Sequence, residues 1–237
     1  MRLLSTFLQR LRHKGLRRAL RPLWQRHVFM HWQLVWLDRD PLARVPRQRT
    51  RPCPPVRLVQ ITPSNTDAFA RHFPGQLQAM NDLAREGHTG HMYLDEAGDA
   101  VAMVWASTRD YHDRHYYGCT FPVQPGEYFQ FAGEVERAYF GTGLSTRVQT
   151  ELWEAMLAKG CTRIVVVVAL DNAQAVKMHL HLDYHEQGRI THAYRFFGRW
   201  YFSRVTHYSG SRLAHLAPRA RRKADSEPAP QLHDTDA

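Results

Sequence analysis

Val135-Glu136-Arg137-Ala138-Tyr139-Phe140-Gly141-Thr142-Gly143-Leu144 is the stretch whose reading decides how this chain is built. Before it, Glu127–Val135 has the residues of a strand. After it, Leu144, Val148, Leu152, Met156 and Leu157 fall at helical spacing up to Lys159-Gly160, a basic residue and then the glycine that ends a helix. Two glycines therefore stand where a strand turns into a helix. With no side chains there, successive backbone N–H groups can converge on an anion, and the helix N-terminus adds its positive end. A pyrophosphate suits such a cradle, although Gly-x-Gly before a helix is also an ordinary tight turn. A dinucleotide fold would place the motif after the first strand of a βαβ unit, with a third glycine and an acidic residue about 20 residues on. A P-loop would need a lysine where Leu144 stands. Neither pattern is present.

Working outward, strands and helices alternate between residues 56 and 205. Val56–Thr62 reads as a strand, with short helices around Asp67–His72 and up to Glu86, which Gly87 stops. His91–Asp95 and Ala100–Thr108 flank the turn sequence Glu96-Ala97-Gly98-Asp99 and predict a hairpin. Tyr116–Phe121 is a further strand candidate before Glu127–Val135. Arg163–Leu170, with the continuous apolar run Ile164–Leu170, predicts a strand buried on both faces. Asn172–Leu182 follows as a helix, and Tyr184–Ile190 and Thr191–Arg204 as two aromatic-rich strands. An antiparallel meander thus precedes a parallel β-α-β step, an α/β architecture.

With these elements in place the chain resembles the GNAT superfamily of acyl-CoA-dependent N-acyltransferases. The family's phosphate loop usually reads Gln or Arg, two residues, Gly, any residue, then Gly or Ala; here it is Ala138-Tyr139-Phe140-Gly141-Thr142-Gly143. About 30 residues on, the family carries a buried strand and then Asn, Ala and Tyr in fixed register, matched here by Val165–Leu170, Asn172, Ala175 and His179, with Asp183-Tyr184 beyond. The likeness covers residues 57–205. It departs from the pattern at Ala138, at Phe140 and at His179, which stands where the family has its tyrosine. What it implies is a mixed, mostly antiparallel sheet flanked by helices, binding acetyl-CoA or another acyl-CoA as co-substrate and needing no metal. The acyl group would pass by direct attack to an amine-bearing small molecule or sugar.

The resemblance also distributes roles. Backbone groups of Phe131, Gly133 and Val135 would line the pantetheine. The N–H groups of Phe140, Gly141, Thr142, Gly143, Leu144 and Ser145 would hold the pyrophosphate. Asn172 and Ala175 would meet the pantetheine arm. Glu127 is the candidate general base with Glu134 as alternative, and His179 the candidate thiolate acid with Tyr184 as alternative. A degenerate fold that binds CoA without catalysis, working as a membrane-associated scaffold, is the competing reading.

Composition bounds the rest. The 237 residues suit one globular domain, and 43% hydrophobic with 23% charged residues exclude wholesale disorder. Cys53, Cys119 and Cys161 contain no CxxC and give no disulfide framework, so a reducing cytoplasm is expected. The formal net charge of +10 is unevenly spread: residues 1–57 hold fourteen Arg or Lys against Asp38 and Asp40, leaving a net of −2 beyond them. Residues 1–55 accordingly read as a basic amphipathic helix, carried by Leu3, Leu4, Phe7, Leu8 and Leu11, followed by a Pro- and Arg-rich linker. Through residues 1–37 such a segment could meet the inner face of an anionic membrane, or its apolar stripe could pack on the body or form a homodimer; nucleic acid is the least favoured partner. Residues 206–237, rich in Pro, Asp and Glu beyond a basic cluster, read as a disordered tail.

Overall fold

The computed structural model describes residues 28–46 and 50–217. The amphipathic residues 1–27, residues 47–49 and residues 218–237 lie outside the described residues. Eight strands form one sheet in the order β10-β9-β1-β8-β7-β4-β3-β2. They are β1 (Phe29–Arg39), β2 (Arg57–Gln60), β3 (Thr89–Leu94), β4 (Ala100–Ser107), β7 (Glu127–Val135), β8 (Arg163–Ala169), β9 (His185–Phe196) and β10 (Trp200–His207). A separate hairpin joins β5 (Tyr111–Asp113) to β6 (Cys119–Phe121). Helices α1 (Leu77–Arg85), α2 (Leu144–Ala158) and α3 (Ala173–His181) flank the sheet. Every neighbouring pair in the large sheet is antiparallel except β7 and β8, which α2 connects as a parallel crossover.

Side-chain alternation divides the core into two layers. On one face Val35, Leu37, Val104, Ile164, Val166 and Val168 meet α2, whose Leu144, Val148, Leu152 and Met156 recur every four residues and are all buried. On the other face Trp36, Met103, Trp105 and Phe129 meet α1 and the β5–β6 hairpin. Helix α2 ends as its sequence predicts. Gly160 at φ +82 lets its own N–H reach Leu157 O at 2.8 Å and the Cys161 N–H reach Met156 O at 3.1 Å, which satisfies two carbonyls of the last turn.

The last two strands meet at a turn over 197–199 and not at Ile190, since β9 runs unbroken through Thr191, and three larger boundaries also differ from the sequence reading. Phe29–Arg39, assigned to the N-terminal extension, is the strand between β8 and β9, and Leu34–Leu37 are buried on both faces because Val35 and Leu37 enter one core layer and Leu34 and Trp36 the other. The Pro- and Arg-rich stretch around residues 50–56 is no free linker: Arg51 N–H donates to Gly141 O at 2.9 Å, and Cys53 and Val56 pack on the core. Residues 206–217 are held rather than loose. Glu186 accepts from Tyr208 Oη at 2.6 Å, from the Arg212 and Leu213 N–H groups at 3.0 Å each, and from Ser211 Oγ, while Leu213 and Ala217 are buried.

Candidate active site

The site grows from a break in the sheet. Parallel pairing of β7 with β8 runs from Glu127 opposite Arg163 to Gln130 opposite Val166 and stops there, although both strands continue. On its other side β7 is bulged against β4. Met103 pairs Glu134 and Trp105 pairs Phe131, so Ala132 and Gly133 together oppose Val104, with Ala132 at φ 47. Beyond Gln130 the two strands part around a slot of about 210 Å³, lined by Phe131–Val135 on one side and Val166–Ala169 on the other. At the apex of the split, Gln130 is buried in a polar network. Its Oε1 accepts from Trp153 Nε1 at 2.9 Å and its Nε2 donates to Gln149 Oε1 at 3.0 Å, which fixes the point where the strands separate.

The slot opens into a cavity of about 500 Å³ lined by Gly133, Val135, Phe140, Gly141, Ser145, Asn172 and Ala175, among others. Gly141 and Gly143 have φ of +77 and +79, and Gly143 caps α2. A Cβ on Gly143 would fall 2.8 Å from Thr50 Cγ2, so both conformation and space require glycine there. Thr142 is turned inward, its Oγ1 donating to Tyr139 O at 2.7 Å, and Leu144 is sealed in the core. Among the described residues, the N–H groups of Gly141, Gly143 and Ser145 carry no protein hydrogen bond. Arg51 supports the loop from outside, with Nη2 donating to Ala138 O and Nε 3.9 Å from where a Gly141 Cβ would lie. Asn172 caps α3 by accepting from Ala175 N–H at 3.1 Å. The donors, the glycine cradle and the slot leading from it fit a pyrophosphate followed by a thin flexible arm.

A third cavity, about 200 Å³, adjoins the slot and shares Tyr117, Phe131, Ala132, Glu134 and Val167 with it. Glu134 lines all three cavities. Its side chain opens onto the cleft, yet the walls strip enough water from it to raise the carboxyl above the usual range, partly offset by a hydrogen bond with Gln76.

The other candidate catalytic residues are placed differently. Glu127 sits at the far end of β7, seven residues or about 23 Å from Glu134 at strand rise. There it accepts from Arg163 Nη1 at 3.2 Å while the same guanidinium holds Asp38, so the first-choice base is a structural ion-pair partner. His179 lines the slot, but its Nδ1 donates to Ala175 O at 2.8 Å, leaving Nε2 as the unprotonated nitrogen; burial lowers its pKa to about 4. A neutral ring in that tautomer has no proton to give a thiolate. Tyr184 is wholly buried, 3.5 Å from Gln130 Oε1 and edge-on to His179, and burial pushes its hydroxyl well up. It lines none of the three cavities.

Sequence reasoning gave no role to Tyr117, Gln130 or Asp113. Tyr117 lines both the slot and the third cavity, and burial raises its pKa to about 12, with the charge of Asp113 contributing. Their signal was faint: Gln130 is one polar residue in an apolar strand, and Asp113 one of four polar residues in a row. The clustered His179 and His181 do not converge, since His179 is buried and His181 exposed. Among the described residues, His72, Asp95 and Asp99 bring possible ligand atoms within 4.8 Å of one another, and Arg71 already engages Asp99 at 2.8 Å.

Residues 58–184 match the family model described as Acetyltransferase (GNAT) family. No curated protein matches the chain. Similar solved structures include a Drosophila protein at 10% identity and TM-score 0.49, aligned over 79% of this chain and 59% of its own length. Another is a Trypanosoma brucei acetyltransferase at 14% and 0.38, over 52% and 90%. A third is an aminoglycoside antibiotic 6'-N-acetyltransferase from Acinetobacter baumannii at 24% and 0.39, over 56% and 92%. The chain therefore spans under two thirds of the first of these. With more than half of its residues matched by the family model and the glycine cradle and split sheet lying within that span, the chain belongs to the GNAT acetyltransferase family.

Proposed function

We propose that the protein transfers an acyl group from acyl-CoA to an amine by direct attack, with Glu134 as the general base. The observation that carries this reading is the convergence of three cavities on Glu134, one leading from the glycine cradle, one between the parted strands and one opening on the opposite side. Acyl-CoA supplies a thioester whose carbonyl carbon is the electrophile. The Gly141, Gly143 and Ser145 N–H groups would hold its pyrophosphate, with the start of α2 adding its dipole. Asn172, whose Oδ1 is used in the cap, would offer its amide nitrogen to the arm. The bulge at Ala132-Gly133 leaves backbone without ladder partners beside the slot, where an N–H can stabilise the thioester oxygen as charge develops on it. Glu134, its carboxyl raised by burial, is poised to take a proton from the amine. For the sulfur, Tyr117 is the hydroxyl that lines the slot from the β5–β6 side, a hydrogen-bond donor in place of the acid first sought at His179 or Tyr184.

The test is titration with CoA by calorimetry together with release of free CoA thiol from acetyl-CoA in the presence of amines. Gly143→Val should weaken CoA at least tenfold, about 1.4 kcal/mol, because it adds a branched side chain at φ +79 against Thr50. Unchanged affinity in a folded variant removes the cradle from the mechanism. CoA binding without thiol release on any amine favours the non-catalytic scaffold.

A further inference from the structure

The third cavity carries information about the acceptor. It lies between α1, the β5–β6 hairpin and β7, and its walls are apolar: Met80, Leu83, Tyr111, Phe121, Phe129 and Phe131. The rings are arranged as flat layers. Tyr111 stacks on Phe131 with centroids 3.9 Å apart and planes 18° from parallel, and Phe121 stacks on Phe129 at 4.7 Å and 13°. Such walls accept a planar or methylene body, whereas a ring of hydroxyls would lose its water against the apolar faces, where no partner stands.

The polar groups of the cavity are one-sided. Asp113 is only 4% exposed, and its carboxylate accepts from the His115 and Tyr116 N–H groups at 3.0 Å and from the Tyr117 N–H at 3.4 Å. Glu134 lies where the cavity meets the slot. No Lys or Arg is among the lining residues, and His115 faces the outer carboxylate of Asp82 at 3.7 Å. Two carboxylates against aromatic faces, with no cation supplied by the wall, make a compartment that favours a positive charge. The Tyr111, Tyr117 and Cys119 pKa values are all raised, by burial first and then by the charge of Asp113, as a compartment of this polarity requires.

We infer that this cavity is the acceptor site and that the acceptor is a compact primary ammonium on an apolar, flat body, of the arylalkylamine class, and not an amino sugar. This rests on the acyl-transfer reading above. In the reaction, one ammonium proton passes to Glu134 and the nitrogen forms its bond to the thioester carbon as the carbon–sulfur bond breaks. The electron pair leaves with sulfur, and the second surplus proton ends on sulfur or solvent.

The experiment uses the full chain. Binding of phenethylammonium, 2-phenylethanol and glucosamine is followed by ligand-observed NMR, binding of CoA by calorimetry, and turnover with acetyl-CoA by thiol release. Phenethylamine should exceed glucosamine at least 100-fold in kcat/KM, and 2-phenylethanol, with the same body and no charge, should bind at least tenfold more weakly than phenethylammonium. Asp113→Asn should lower phenethylammonium affinity at least threefold while CoA affinity stays within twofold, and Leu83→Trp, which fills the cavity, should displace the amine with CoA retained. If CoA binds and glucosamine is the better acceptor, or phenethylammonium neither binds nor is acylated, the assignment of the acceptor is overturned and the acyl-transfer reading stands apart from it. If CoA itself does not bind, both readings fall together.

Discussion

Glu134 concentrates the chemistry and also stores a cost. Its folded-state pKa is raised, chiefly by burial, so the protonated form is favoured relative to the unfolded chain, and its contribution to stability is present at low pH and lost as pH rises through the raised value. At neutral pH the charged base should therefore cost the fold a little, the effect being small because the side chain is exposed to the cleft. Glu134→Gln should lower kcat/KM by about 10² or more, the scale of a lost general base, and raise the melting temperature at pH 7, with the stability difference vanishing as the pH drops below the ordinary carboxylate range. The wild-type rate should fall on the acid side with an apparent pKa above that range. A Gln variant of undiminished rate would return the base to bulk water. His179 leads to the opposite expectation. With Nδ1 committed to Ala175 O and its pKa near 4, His179→Phe should keep kcat within about threefold and lose on the order of 1 kcal/mol of stability with the hydrogen bond. A drop of 10² in kcat with affinity for CoA unchanged would restore a proton-transfer role to that ring.

Among the elements, the contrast between α2 and β1 explains what could be read from the chain. Helix α2 declares itself: its glycine start, its apolar residues every fourth position and its Lys159-Gly160 end are all local, and the glycine turn before it is legible with it. Strand β1 has the same apolar character in Leu34–Leu37, but its partners are 125 and more positions away, as with Asp38 and Arg163, so no local pattern says that it enters the sheet. The acceptor cavity was hidden for a related reason, because Tyr111, Phe121 and Phe131 become one wall only once the β5–β6 hairpin lies over β7. Glu127 and Glu134 share one strand and similar surroundings in the sequence; which end of β7 splits from β8 decides between them, and pairing alone determines that. Arg51 belongs to this class of distant effects. It brings a guanidinium beside Gly141 where the loop's own position 138 has only a methyl group. Arg51→Ala retains the backbone bond to Gly141 O and should weaken CoA about three- to tenfold at low salt, with the difference shrinking as salt screens it. A loss that does not depend on salt would make Arg51 a mechanical brace only.

For the whole molecule, charge and architecture separate within the first 57 residues. The basic excess there faces a remainder of net −2, and among the described residues no helix is long and apolar enough to cross a membrane. If residues 1–24 meet an anionic surface and do not pack on the body, the full chain should bind anionic vesicles in a salt-sensitive way and deletion of residues 1–24 should abolish this while leaving CoA affinity within about twofold, since each basic residue near such a surface contributes about 1 kcal/mol. Vesicle binding that survives the deletion assigns the contact to the body. Deleting as far as Arg39 is another matter, because it takes out the strand that joins β8 to β9, and the hairpin of β9 and β10 would then lose its place in the sheet.

That same strand sets a schedule for synthesis. Trp36 donates its indole N–H to Thr191 Oγ1 at 2.8 Å, a bond between residues 155 positions apart. At translation rates of about 5–20 residues per second, the gap is roughly 8 to 30 s during which Leu34, Trp36 and Leu37 are outside the ribosome without the β9 side of their surroundings. Pairings so distant also slow folding after release, since the loop must close before any contact rewards it. A nascent chain of this sequence should therefore engage a holdase until β9 is made, and arrest of translation before residue 191 should leave β1 more open to proteases than it is in the finished protein.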